Sequence, residues 1–153
     1  MIRQLSPTEF ERTCHDGELI VREGESGREM FVIQEGGVRV FKQAHDREIT
    51  LATLQRGDFF GEMSLLEDEA RDASAAAIGP TRVLVIQPGG LLLRIRRDPT
   101  FAYEMLHRMS HRVRELNAWL IELLERDSAI EGRSAESPGP LLSLGPTRVL
   151  DDP

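Results

Sequence analysis

The chain has 153 residues, within the usual size of one domain of about 150, and it carries 19 Lys and Arg against 26 Asp and Glu, a formal charge of −7. Forty per cent apolar residues with no apolar run of roughly 18 exclude a spanning helix, and the start, Met1 to Pro7, lacks the apolar stretch of about 7–15 residues that a secretory leader needs. The acidic balance opposes a nucleic-acid surface, which needs clustered cations, and the lone Cys14 has no internal disulfide partner and suits a reducing cytoplasm.

From Glu9 to Gln87, short apolar runs alternate with glycine. The runs are Glu18–Val21, Met30–Ile33, Val38–Phe41, Ile49–Leu54, Ala73–Ile78 and Arg82–Ile86. Most are rich in β-branched residues, and the breaks are turn chemistry: Asp16-Gly17, Gly24, Gly27, Gly36-Gly37, Gly57-Asp58 and Gly79-Pro80. This texture predicts a β sandwich or barrel, with a hairpin at Gly36-Gly37 between two strands.

Gly89-Gly90 then opens a helical zone through Leu91–Ile95. Asp98 can cap a second helix, with Pro99 in its first position, where a missing N–H costs nothing. This helix is expected to run to about Arg126. Ala102, Leu106, Met109, Val113, Leu116, Leu120 and Leu123 recur at spacings of 4, 3, 4, 3, 4, 3, which is a heptad seam. Either the seam packs on the chain's own barrel, or it forms a parallel two-stranded dimer, and its length favours the dimer. Residues 127–153 are rich in Ser, Gly and Pro and read as a flexible tail. They contain Gly145–Leu150, a verbatim copy of Gly79–Leu84.

The chemistry concentrates in Phe59-Phe60-Gly61-Glu62-Met63-Ser64-Leu65-Leu66 and the following Arg71-Asp72-Ala73-Ser74. Gly61 lets a backbone approach a ligand closely. A helix start after it offers unpaired N–H groups to an anion. Arg71 presents a planar fork suited to phosphate, and an ionised Glu62 can only accept, so it suits a hydroxyl. Together they describe a sugar-phosphate pocket. His107 and His111 lie four apart on the long helix without a third ligand at a sensible spacing, so no metal site is read there. Cys14 is a strand residue with no sign of activation. No nucleophile–base pair and no P-loop is present, so no enzyme is expected.

This stretch resembles the phosphate-binding cassette of cyclic nucleotide-binding domains, the family that includes the protein kinase A regulatory subunits and the catabolite activator group. Gly17-Glu18-Leu19-Ile20-Val21-Arg22-Glu23-Gly24-Glu25-Ser26-Gly27 and Met30-Phe31-Val32-Ile33-Gln34-Glu35-Gly36-Gly37-Val38 resemble two further blocks of the family, in the right order. The resemblance covers about Gly17 to Arg126. It implies a mainly β chain, a jelly-roll barrel (double-stranded β-helix) over 9–87 with helices over 90–126, the two together forming a binding domain over 9–126. It also implies a cyclic mononucleotide ligand, cAMP or cGMP, and no metal. By that resemblance Glu62 accepts from the ribose 2′-hydroxyl and Arg71 pairs with the cyclic phosphate. Gly61 and the backbone N–H groups of Met63, Ser64, Asp72 and Ala73 complete the cradle.

Asp72 departs from the small residue usual in the family. Either its carboxylate turns to solvent and only its N–H serves, or it accepts from a guanine amine, or it spoils the pocket. The expected function is a stand-alone cytoplasmic cyclic-nucleotide receptor that signals to a partner protein through its C-terminal helix. A homodimer is expected through Leu106, Met109, Val113, Leu116, Leu120 and Leu123. Residues 127–153 are too few for the helix-turn-helix domain of the catabolite activator group, so no DNA partner and no membrane partner is expected. The alternative is a jelly-roll scaffold that binds no ligand and dimerises through the same helix.

Overall fold

The structure is a computed structural model, and it describes residues 7–131. The chain divides after Arg108. Up to that point, six antiparallel strands form one sheet system. They are β1 (Glu9–Cys14), β2 (Leu19–Val21), β3 (Met30–Ala44), β4 (Arg47–Gln55), β5 (Phe59–Phe60) and β6 (Ser74–Ile86). The strand order is β1-β6-β3-β4, with β2 also on β6 and β5 also on β3. Between β5 and β6 lies a short helix, α1 (Glu62–Glu67), and α2 (Gly90–Arg97) and the start of α3 (Pro99–Glu131) follow β6.

Two expected strand pairs are single long strands. Gly36-Gly37 is no hairpin: β3 runs straight through it, and β6 runs through Gly79-Pro80. Both glycines have positive φ, +82° at Gly36 and +65° at Gly79. The β3–β6 register shifts between Ile33 and Gly37, so the two strands bend together. A Cβ on Gly36 would collide with the Pro80 carbonyl oxygen, so the pairing itself requires glycine there. Thr81, fully buried, fastens the bend by donating its hydroxyl to the Gly37 carbonyl at 3.0 Å. The actual hairpin comes later, where Ala44 faces Arg47 across His45-Asp46. Strand β1, absent from the expected runs, pairs along its whole length with β6, from Glu9 opposite Ile86 to Cys14 opposite Thr81.

The inner cluster gathers Cys14, Ile20, Phe31, Ile33, Val38, Leu54, Phe60, Val83 and Val85, with Val21, Val40 and Ala52 half-buried against it. Met30, Phe59, Leu84 and Ile86 point the other way and are buried as well, as are Leu91 of α2 and Phe101 and Met105 of α3. This is why Val83–Ile86 reads as a continuous apolar run, since it is covered on both faces. Helix α2 is pinned to β1 by Arg94 and Glu9 at 3.3 Å, both largely buried. The first turns of α3 are pinned by Arg108, which donates to Asp58 at 2.6 Å. Asp98 ends α2, and its carbonyl accepts from the Phe101 N–H as α3 begins.

Past Arg108 the described chain is the remainder of α3. It continues beyond the expected stop at Arg126 to Glu131, so Asp127–Glu131 are helix and not tail. A Glu122–Arg126 pair one turn apart and the Ser128 hydroxyl on the Leu124 carbonyl support these last turns. The rest of the expected tail, with the repeated Gly145–Leu150, lies outside the described residues. Among the described residues no helix is long and apolar enough to cross a membrane.

Cys14 closes β1 with almost no exposure. Burial, followed by its contact with Glu18, pushes the thiol from 9.0 up to about 11. A raised folded-state value means that stability is whole below the unfolded value and is lost as pH climbs toward the folded one. Urea midpoints are therefore expected to fall between pH 9 and pH 11. Cys14→Ala should flatten that decline, and an equal decline in the variant would show that the thiol is not its source.

Candidate functional site

The site is built where β5 hands over to α1 and where the chain returns into β6. Phe59 and Phe60 form β5, and Phe60 stacks on Phe31 of β3, with centroids 4.9 Å apart and planes 9° from parallel. Gly61 follows at φ +82°, a conformation that turns the chain directly into α1. A side chain at Gly61 would also press on the Arg71 guanidinium and the Glu29 carbonyl. Glu62 and Ser64 of α1 are buried, whereas Met63 is half exposed. The first N–H groups of this helix have no partner within it. Asp68 ends the helix at φ 56° and is held by Arg28 at 3.1 Å.

Arg71 lies just before β6, with its side chain only 4% exposed. Its Nη1 donates to the Gly61 carbonyl at 3.2 Å, and its Nη2 donates to the Glu29 carbonyl at 3.0 Å and to Glu29 Oε2 at 3.3 Å. The guanidinium rests 5.7 Å from the centroid of the Phe31 ring. Burial lowers the arginine's pKa, while the charges of Glu29 and Glu62 act in the opposite direction. The backbone of Arg71 is equally fixed: its N–H donates to the Glu25 carbonyl and its own carbonyl accepts from Gly24.

The structure thus joins Arg71 directly to the Gly61 carbonyl, and Glu62 and Ser64, which follow in α1, are buried. Asp72 is exposed and Ala73 half-buried as the chain enters β6. Glu29 and Gly27 also surround Arg71; the sequence reading took Gly27 only as a turn and block residue and did not name Glu29. Gly27 leaves room for the guanidinium: a Cβ there would lie 2.8 Å from Arg71 Nη2. The pairing of Glu29 with Arg71 carries no local signal, because the partner is more than 40 positions away. His107 is exposed on α3, and His111 pairs with Glu115 at 3.3 Å.

This part of the β barrel thus holds a glycine turn, a buried carboxylate and a buried guanidinium, and the comparisons give the class of the domain. The family model of the cyclic nucleotide-binding domain matches residues 11–98. The chain is 35% identical over 122 residues to the cyclic AMP receptor protein of Thermus thermophilus, a match that spans 78% of this chain and 56% of the relative. It is 39% identical over 98 residues to a cGMP-dependent protein kinase of Eimeria tenella, spanning 64% of this chain and 9% of the kinase. Its fold superimposes on the crystal structure of the Thermus thermophilus catabolite activator protein with a TM-score of 0.65 at 32% identity, over 79% of this chain and 61% of that one.

The fold is therefore the β barrel, or jelly roll, of these proteins with a C-terminal helix. The chain belongs to the cyclic nucleotide-binding domain family. It spans little more than half the length of the receptor protein that it matches.

Proposed function

We propose that the chain is a receptor for a cyclic mononucleotide, cAMP or cGMP, and that it is regulatory and not catalytic. The observation that supports this most directly is Arg71: a guanidinium almost wholly removed from solvent, tied to the carbonyl of Gly61 and sharing its surroundings with Glu62. A buried cation with N–H bonds still to give is arranged for an anion. An acceptor-only carboxylate beside it is arranged for a hydroxyl. In this reading Arg71 takes the cyclic phosphate and Glu62 the ribose 2′-hydroxyl. Gly61 and the N–H groups of Met63, Ser64, Asp72 and Ala73 close around the phosphate. The half-buried Val21, Val40 and Ala52 are candidates to line the sugar and base. The exposed position of Asp72 supports the version in which its carboxylate faces water and only its N–H serves.

The binding domain is taken as residues 9–126 in a cytoplasmic protein. Occupancy would be communicated through α3 to a partner, which requires the ligand to bind two arrangements of that helix with different affinity, typically by about 1–3 kcal/mol. A second copy of the chain is assigned to the seam of α3, because Leu106, Val113, Leu116, Leu120 and Leu123 are all left exposed at heptad spacing. Melting the protein with cAMP and with cGMP tests the receptor reading. Ligand at 100 times its dissociation constant should add about 2.7 kcal/mol of stability. Unchanged melting with millimolar amounts of both would leave the ligand-free scaffold as the function.

A further inference from the structure

We propose that Glu29 is a built-in competitor for the phosphate: its carboxylate holds a guanidinium donor that a bound phosphate needs. The inference rests on the receptor reading above and adds a residue that sets affinity at the same site. A guanidinium has five N–H bonds, two on each Nη and one on Nε. Both hydrogens of Nη2 are committed within the chain, one to the Glu29 carbonyl at 3.0 Å and one to Glu29 Oε2 at 3.3 Å. Nη1 has given one of its two to Gly61. A phosphate gripped by two parallel bonds uses either the Nη1–Nη2 end or the Nε–Nη2 side of the fork, and both include Nη2. One Nη2 bond must therefore be surrendered on binding.

The carboxylate is the one that can leave. The Glu29 carbonyl is fixed in the backbone next to β3, whereas the Glu29 side chain is 44% exposed, and it borders a cavity of about 250 Å³ shared with Arg12, Ser26 and Gly27. Arg71 does not need it to stay in place. The two carbonyls, the Phe31 ring and the space left by Gly27 hold the guanidinium without the carboxylate. The carboxylate thus supplies opposing charge in a place where position is already secured. It balances the buried cation and weakens the field that would draw a phosphate in.

Titration calorimetry with cAMP and cGMP on the full chain, comparing wild type, Glu29→Gln, Arg71→Ala and the double variant, tests this. Glutamine keeps the shape and removes the charge, so Glu29→Gln should tighten binding by about 3- to 5-fold, the scale of a half-exposed ion pair. In the Arg71→Ala background the same change should leave affinity within about 1.5-fold, because the competition acts through the guanidinium. Equal affinity of wild type and Glu29→Gln overturns the inference while the receptor reading stands. Weaker binding by Glu29→Gln does so too, since it would make the carboxylate a support of Arg71. A gain that persists without Arg71 also overturns it. Binding by none of the four proteins overturns the receptor reading and this inference together.

Discussion

Arg71→Ala is expected to weaken cyclic-nucleotide binding by about 30-fold or more. Removing one member of a buried charge pair costs about 2–5 kcal/mol, and the lower figure already corresponds to that factor. The site makes the loss hard to recover. The guanidinium fills a space shaped by Gly27 and Gly61, and among the described residues no other cation is bonded to the Gly61 carbonyl. Alanine also takes the guanidinium donor from the Glu29 carbonyl and leaves the Gly61 carbonyl only the long bond from the Leu65 N–H at 3.4 Å, so the variant should be less stable by about 1–3 kcal/mol. Affinity must therefore be measured on protein shown to be folded by circular dichroism. Arg71→Lys serves as the companion variant: it keeps the charge but loses the planar fork, and should bind more weakly than wild type and more tightly than alanine. Titrations in which Arg71→Ala matches wild type would remove the phosphate from this position.

The second large effect concerns α3. The combined Leu106→Glu and Val113→Glu variant is expected to be a monomer by light scattering under conditions where wild type has twice its mass. Leu106 is 67% exposed and Val113 46% exposed, so neither change disrupts a packed interior, and the barrel should keep its melting behaviour. In a paired helix both positions would meet their counterparts, and four carboxylates on a desolvated seam would be prohibitive. Exposed leucines that continue at heptad spacing through Leu116, Leu120 and Leu123 are hard to reconcile with a helix meant to stay alone in water. Wild type that remains monomeric at high micromolar concentration would sink the assignment of a second copy.

The parts of the fold visible in the residues were those written locally. The Asp16-Gly17 turn, the glycine before Glu62, Pro99 at the head of α3 and the heptad leucines each depend on neighbours a few positions away, and each lies where its chemistry places it. The helix end was missed by a little, because Glu122–Arg126 and Ser128–Leu124 contacts extend a helix that composition alone would stop. The larger misses were in the sheet. Gly36-Gly37 and Gly79-Pro80 both have the composition of turns. They became bends inside long strands because the two strands lie side by side and kink at the same level, with Thr81 bridging them. Pairing of this kind is a property of two distant segments, and no window of sequence contains both.

The binding site shows the same division. Gly61, Glu62 and Arg71 could be selected from the chain because their chemistries, a flexible turn, an acceptor and a planar cation, are the ones that a phosphate next to a hydroxyl would need. Tertiary structure alone decided that Arg71 would be buried, that Gly27 would open the space for it and that Glu29 would share its charge. A residue's type fixes which bonds it can make. Burial and partnership depend on which remote strands close around it, and those are settled only when the sheet has formed.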